Sequence, residues 1–101
     1  MLIGRVLATF EITGRGLVVA TDILLNELPC NAQAISGSQI EFRIHGVINN
    51  VATVHGVEMP TPLNDRTPFA FSLSSGISKN DIRIGSEFAI ILQSKVDLRN
   101  S

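Results

Sequence analysis

The sequence predicts an all-β chain folded as a small closed barrel of antiparallel strands. Three observations favour this class. Apolar and polar residues alternate with a period of two in several segments, these segments are rich in Val, Ile and Phe, and turn residues recur about every ten residues. The chain has 101 residues, which suffice for one domain with a modest core. We therefore expect a single domain over residues 1–101, with a frayed tail at 97–101.

The first predicted element is a tight β-hairpin that joins residues 3–13 to residues 17–22. Gly14 and Gly16 supply the positive φ that a chain reversal needs, and Arg15 is then held at the hairpin tip. The first strand alternates like a half-buried strand, and its apolar set is Val6, Ala8, Phe10 and Ile12.

Residues 26–38 are predicted to form a connection because Pro29, Gly37 and small polar residues interrupt the pattern. This connection carries Cys30, the single cysteine of the chain. One cysteine cannot form an internal disulfide, so we expect a reducing, cytoplasmic setting. Cys30 is expected to pack as a small apolar side chain.

A second hairpin is predicted from residues 40–48 and 51–59, with its turn at Asn49-Asn50 because Asn tolerates left-handed backbone. Gly56 interrupts the alternation of the second strand, which predicts a β-bulge there. With a two-residue turn, His45 and His55 lie on opposite faces, whereas one more turn residue makes them neighbours. The sequence leaves both registers open.

The last third contains a proline-rich loop at 60–68, a strand at 69–73, one helical turn and a final strand at 88–96. The helical turn is predicted because Ser78 precedes Asp81 by three residues, the spacing of a capping pair.

Composition excludes several classes of function. No apolar run approaches the roughly 20 residues that cross a bilayer, and no signal peptide is expected. Eight basic and nine acidic residues give a net charge of −1 without a Lys/Arg cluster, which argues against binding nucleic acid through phosphates. Trp and Tyr are absent, and the five Phe are expected in the core.

No constellation of catalytic residues is recognisable. None of the serines lies in a G-x-S-x-G turn, and two histidines without a further ligand do not make a zinc site. We therefore expect no enzyme activity, no metal and no cofactor.

Four segments resemble the second domain of elongation factor Tu, the barrel that follows the GTPase domain in translational GTPases. They occur in that family's order, together span about residues 6–92, and are FEITGRGLVV (10–19), SGSQIEF (36–42), VHGVEM (54–59) and GISKNDIRIG (76–85). The resemblance implies a closed six-stranded antiparallel Greek-key barrel. The sequence contains no G-x-x-x-x-G-K-[ST] loop, so no GTP binding is expected.

The resemblance also implies a pocket for the 3′-terminal adenosine of an RNA, with apolar walls from Ile12, Val18 and Leu73 and an acid at Glu58. The alternative interpretation is that the three apolar residues only pack and that Glu58 is a solvated carboxylate.

Two functions follow from these features. The first is a translation-related module that binds an RNA 3′ end, the ribosome or another translation protein. The second is a protein-interaction or self-assembling module. The near-neutral charge, the mean hydropathy of +0.30 and the continuous apolar run at 88–92 favour the second.

Overall fold

The computed structural model describes residues 1–14, 16–28, 32–58, 66–74 and 76–92. It contains six antiparallel strands that close into a barrel in the order β1-β2-β5-β4-β3-β6, with β6 hydrogen-bonded back to β1. In the section β6-β3-β4-β5, three consecutive strands are followed by a fourth that returns beside the first, which is a Greek key. The predicted fold class is confirmed. The strands are β1 (Leu2–Ile12), β2 (Gly16–Leu24), β3 (Gln39–Ile44), β4 (Val47–Glu58), β5 (Pro68–Leu73) and β6 (Glu87–Ile91).

The predicted hairpin between β1 and β2 is present. Ile12 pairs with Gly16, and Gly14 and Gly16 have φ of 83° and 90°, as the sharp reversal requires. Earlier in β1 the register shifts between Val6 and Ala8, so one extra residue is inserted there.

The expected apolar face of β1 is wrong because of this bulge. A single inserted residue moves all later side chains to the opposite face. Val6 is fully buried, whereas Phe10 is 52% exposed. Phe10 is therefore not part of the core, in contrast to the other four phenylalanines.

The predicted turn at Asn49-Asn50 is wrong. The β3–β4 hairpin turns at His45 and Gly46, whose φ values are 52° and 79°, and Ile44 pairs with Val47. Asn50 instead lies within β4 opposite Phe42, and its Nδ2 donates to the Asp81 carbonyl at 2.7 Å.

Both histidine registers that the sequence left open are also wrong, because His45 lies in this turn. His55 belongs to a separate irregularity further along β4. The register against β5 shifts between Val54 and Gly56, which confirms the predicted β-bulge.

The remaining elements are short. The connection at 26–38 contains a helix, Ala32–Ile35, and a 3-10 turn, Leu25–Glu27, precedes it. The predicted helical turn is the 3-10 turn Lys79–Asp81, in which the Asp81 carboxylate accepts from the Ser78 backbone N–H at 2.9 Å.

The barrel interior holds one hydrophobic core. Its centre is a chain of aromatic contacts, with Phe71 5.3 Å from Phe69 and 5.7 Å from Phe88 between ring centroids. Phe88, Ala89 and Ile90 are completely buried, so most of the run at 88–92 lies in the fold and offers no partner surface. The predictions for Arg15, Cys30, Met59, residues 60–65 and the tail at 97–101 lie outside the described residues.

Candidate functional site

The outer face of β1, β2, β5 and β4 carries two neighbouring rows of side chains. In an antiparallel sheet, residues directly opposite each other point to the same side. The row Thr9–Val19–Phe71 faces the core, so the rows next to it along each strand face outward. These outward rows are Phe10–Val18–Ser72–Gly56 and Ala8–Ala20–Ala70–Glu58. We call these eight residues the outer panel.

The outer panel is a shallow apolar floor. Three alanines and one glycine occupy half of its positions, and all four are half-buried. Phe10 stands at one side of this floor, and the half-buried Glu58 is its one carboxylate. Small side chains let another surface approach the backbone closely, so the floor can receive a protruding apolar group.

A cleft of about 300 Å³ adjoins the Glu58 side of the panel. The β-bulge positions its wall, because the inserted residue turns His55 outward and leaves Gly56 opposite Ser72. We call this the Glu58 cleft, and its lining is Gly14, His55, Gly56, Val57, Glu58 and Ser72.

The structure places three of the four residues that the resemblance assigned to an adenosine pocket on the outer side of the barrel, but it does not gather them into one pocket. Ile12, Val18 and Glu58 belong to the outer side of the barrel. Ile12 is 40% exposed, whereas Val18 is only 5% exposed despite its outward position. Leu73 is part of the core and pairs with Val54, so it lies on the inner side of the wall. Of the four, only Glu58 lines the cleft, together with Gly14 of the hairpin tip.

Sequence reasoning missed a second cleft at the other side of the barrel. Arg5, Arg43 and Arg83 line it together with Glu87 and the His45-Gly46 turn. The three arginines are about 40 residues apart along the chain, and only the pairing of β6 with both β1 and β3 brings them together. A local search for basic clusters therefore could not find this site.

Within the described ranges, no group of three or more His, Cys, Asp or Glu side chains could hold a metal ion. None of the helices in the described part of the chain is long and apolar enough to span a membrane. Comparison with known proteins found no matching family model, no matching curated protein and no matching solved structure. The resemblance to elongation factor Tu therefore depends on the four sequence segments alone.

Proposed function

We propose that this chain is a non-catalytic β-barrel module that assembles with a second copy of itself through the outer panel. The observation that carries the proposal is the exposure of Phe10 and Ile12 beside a floor of alanines. In a twofold dimer the same patch must be complementary to itself. A protruding phenylalanine and a shallow apolar floor on one surface meet that requirement.

The charge of the chain supports the same proposal. A net charge of −1 gives little long-range repulsion between copies. Complete burial of a large apolar side chain contributes about 1.5–3 kcal/mol, and Phe10 and Ile12, which are 52% and 40% exposed, can gain roughly half of that on association. In a symmetric dimer Phe10 and Ile12 each contribute twice, which is enough to offset part of the entropy lost on association.

Sedimentation or light scattering across a dilution series tests this assembly. The monomer mass is 10.9 kDa, and we expect twice that mass at high concentration. The double substitution Phe10→Ser with Ile12→Ser should weaken the dimer at least about 100-fold, because it removes most of the protruding apolar surface.

The matched control is Val47→Ser with Ile48→Ser, which removes two aliphatic side chains from β4 near its turn that are 69% and 50% exposed. This control should dimerise like the original chain. A monomer at every concentration, or equal loss in the control, would refute self-assembly through this panel and leave only foreign protein partners.

A second candidate function is binding of an RNA 3′-terminal adenosine, and the Glu58 cleft is the observation that favours it. Its volume is at the lower end of small-molecule sites. A carboxylate can accept from an exocyclic amine or a ribose hydroxyl. Under this proposal the chain is a relative of the second domain of elongation factor Tu, a relation with which the closed six-stranded barrel is compatible.

Titration with adenosine, followed by amide NMR shifts, tests this second function. Saturable shifts at Gly56 and Glu58 that disappear on Glu58→Gln are expected. If these amide signals do not shift at millimolar adenosine, the adenosine site is refuted, whereas the proposal of a dimer is unaffected. With one cysteine in the chain, we propose a cytoplasmic location for either function.

A further inference from the structure

The arginine cleft has a volume of about 440 Å³ and lies where β1, β6 and β3 meet the segment that leads into β6. Arg5 pairs with Glu87 across one strand boundary, and Arg43 pairs with Glu87 across the next. The carboxylate therefore lies between the two arginines on the outer face of the barrel. Arg83 and His45 complete the charged or ionisable lining.

Neighbouring groups hold two of the arginines in place. The Arg5 Nη1 donates to the Gly85 carbonyl at 3.2 Å. The Arg43 Nη2 lies 2.9 Å from Glu41 Oε1, in an ion pair whose side chains are 24% and 16% exposed. A guanidinium has five N–H donors, so these contacts leave donors for a ligand.

The segment that carries Arg83 is also fixed. Ser86 Oγ donates to the Arg83 carbonyl at 2.6 Å, and the Gly85 N–H donates to the Val6 carbonyl at 2.7 Å. The first bond holds the segment 83–86 in its turn, and the second connects this segment to β1. Hydrogen bonds therefore hold the backbone next to Arg5 and Arg83 in place, which lowers the entropy lost on binding.

The local charge of the cleft opposes that of the whole chain. Three arginines and one glutamate line the cleft, and Glu41 pairs with Arg43 beside it, so this group of side chains carries a net charge of +1, whereas the chain carries −1. Like charges at close quarters cost free energy, and a bound anion relieves that cost. Guanidinium groups match the oxygens of phosphate in bidentate geometry.

We propose that the arginine cleft binds a phosphate group. Its volume is within the range of small-molecule sites. Ile44 and Ile84 add apolar walls, so the cleft suits a phosphate carried on a small organic molecule. This site is distinct from the outer panel and from the Glu58 cleft, and it does not depend on the proposed function.

Amide NMR titration of the full chain with inorganic phosphate and with phenyl phosphate, at constant ionic strength, tests the site. We expect saturable shifts at residues 44–46 and 83–87. Arg83→Gln should weaken binding at least about 10-fold, since a charged hydrogen bond is lost. Glu87→Gln should tighten binding several-fold, because it removes the one carboxylate of the lining.

Lys79→Gln is the matched control. It also removes one positive charge, but Lys79 lies in the 3-10 turn near Glu11 and does not line the cleft. The Lys79→Gln variant should bind inorganic phosphate and phenyl phosphate with the same affinity as the original chain. If phenyl phosphate binds more tightly than inorganic phosphate, the ligand is an organic phosphate. If it binds equally or more weakly, the ligand is the free ion. Non-saturating shifts, or equal losses in Arg83→Gln and Lys79→Gln, overturn the proposal.

Discussion

Gly4 occupies a crowded position against the barrel core. A Cβ at this residue would lie 2.7 Å from Ile23 Cδ1 and 2.9 Å from Phe88 Cζ. The Ile23 end can rotate away, but Phe88 is fully buried and cannot move freely. Close approach of β1 to the core, and not backbone freedom, therefore requires glycine here.

Gly4→Ala should lower the free energy of unfolding by about 1–3 kcal/mol, the usual cost of overpacking. Gly56→Ala is the control, because its Cβ would meet only Ser72 Oγ at 3.9 Å. That variant should be unchanged or more stable by up to about 1 kcal/mol, from the lower entropy of its unfolded chain. Urea unfolding measures both, and equal losses would contradict the steric explanation.

At the scale of elements, the β3–β4 hairpin shows how a turn sets the register. His45 is the one non-glycine residue with positive φ among the described residues, and Gly46 follows it with φ of 79°. Left-handed backbone at both positions is typical of two-residue hairpin turns, in which Asn-Gly is the preferred pair. Histidine adopts this region more readily than most residues, although it is not optimal.

His45→Asn should therefore raise the free energy of unfolding by about 0.5 kcal/mol, whereas His45→Val should lower it by about 1–3 kcal/mol. β-branched side chains clash in left-handed backbone, which explains the sign of the second change. Thermal unfolding monitored by circular dichroism distinguishes the two. A stabilising valine would show that the turn has another conformation.

At the scale of the whole molecule, the phenylalanines divide into one inner cluster and one surface residue. Phe71 is in ring contact with Phe69 and Phe88 inside the barrel, whereas Phe10 on β1 points outward beside its pairing partner Val18 on β2. The inner phenylalanines stabilise the fold, whereas Phe10 is exposed on the surface, as the proposed dimer requires.

Phe71→Ala should lower the free energy of unfolding by about 3–5 kcal/mol through the cavity that it leaves. Phe10→Ala should change it by less than about 1 kcal/mol when the protein is dilute enough to be monomeric, because half of that side chain is already in water. Denaturant titration at low protein concentration measures both. Comparable losses would place Phe10 in the core.

The amino-acid sequence determined the fold class, the first hairpin, the bulge at His55-Gly56 and the helical turn after Ser78. These features depend on local properties: the period of two, the backbone freedom of glycine and the spacing of a capping pair. The predicted position of the second turn was wrong because His45-Gly46 and Asn49-Asn50 are both acceptable turn sequences, and only the pairing of β3 with β4 shows which of them forms the turn.

Tertiary structure alone decided which residues form surfaces. One inserted residue in β1 moved Phe10 and Ile12 from the expected inner face to the outside. The pairing of β2 with β5, in which Val18 lies opposite Ser72, put Val18 and Leu73 on opposite sides of the wall. The arginine cleft exists because barrel closure brings β1 and β3 to either side of β6. Which side chains meet across strands depends on pairing between distant segments, and alternation within one segment carries no information about that pairing.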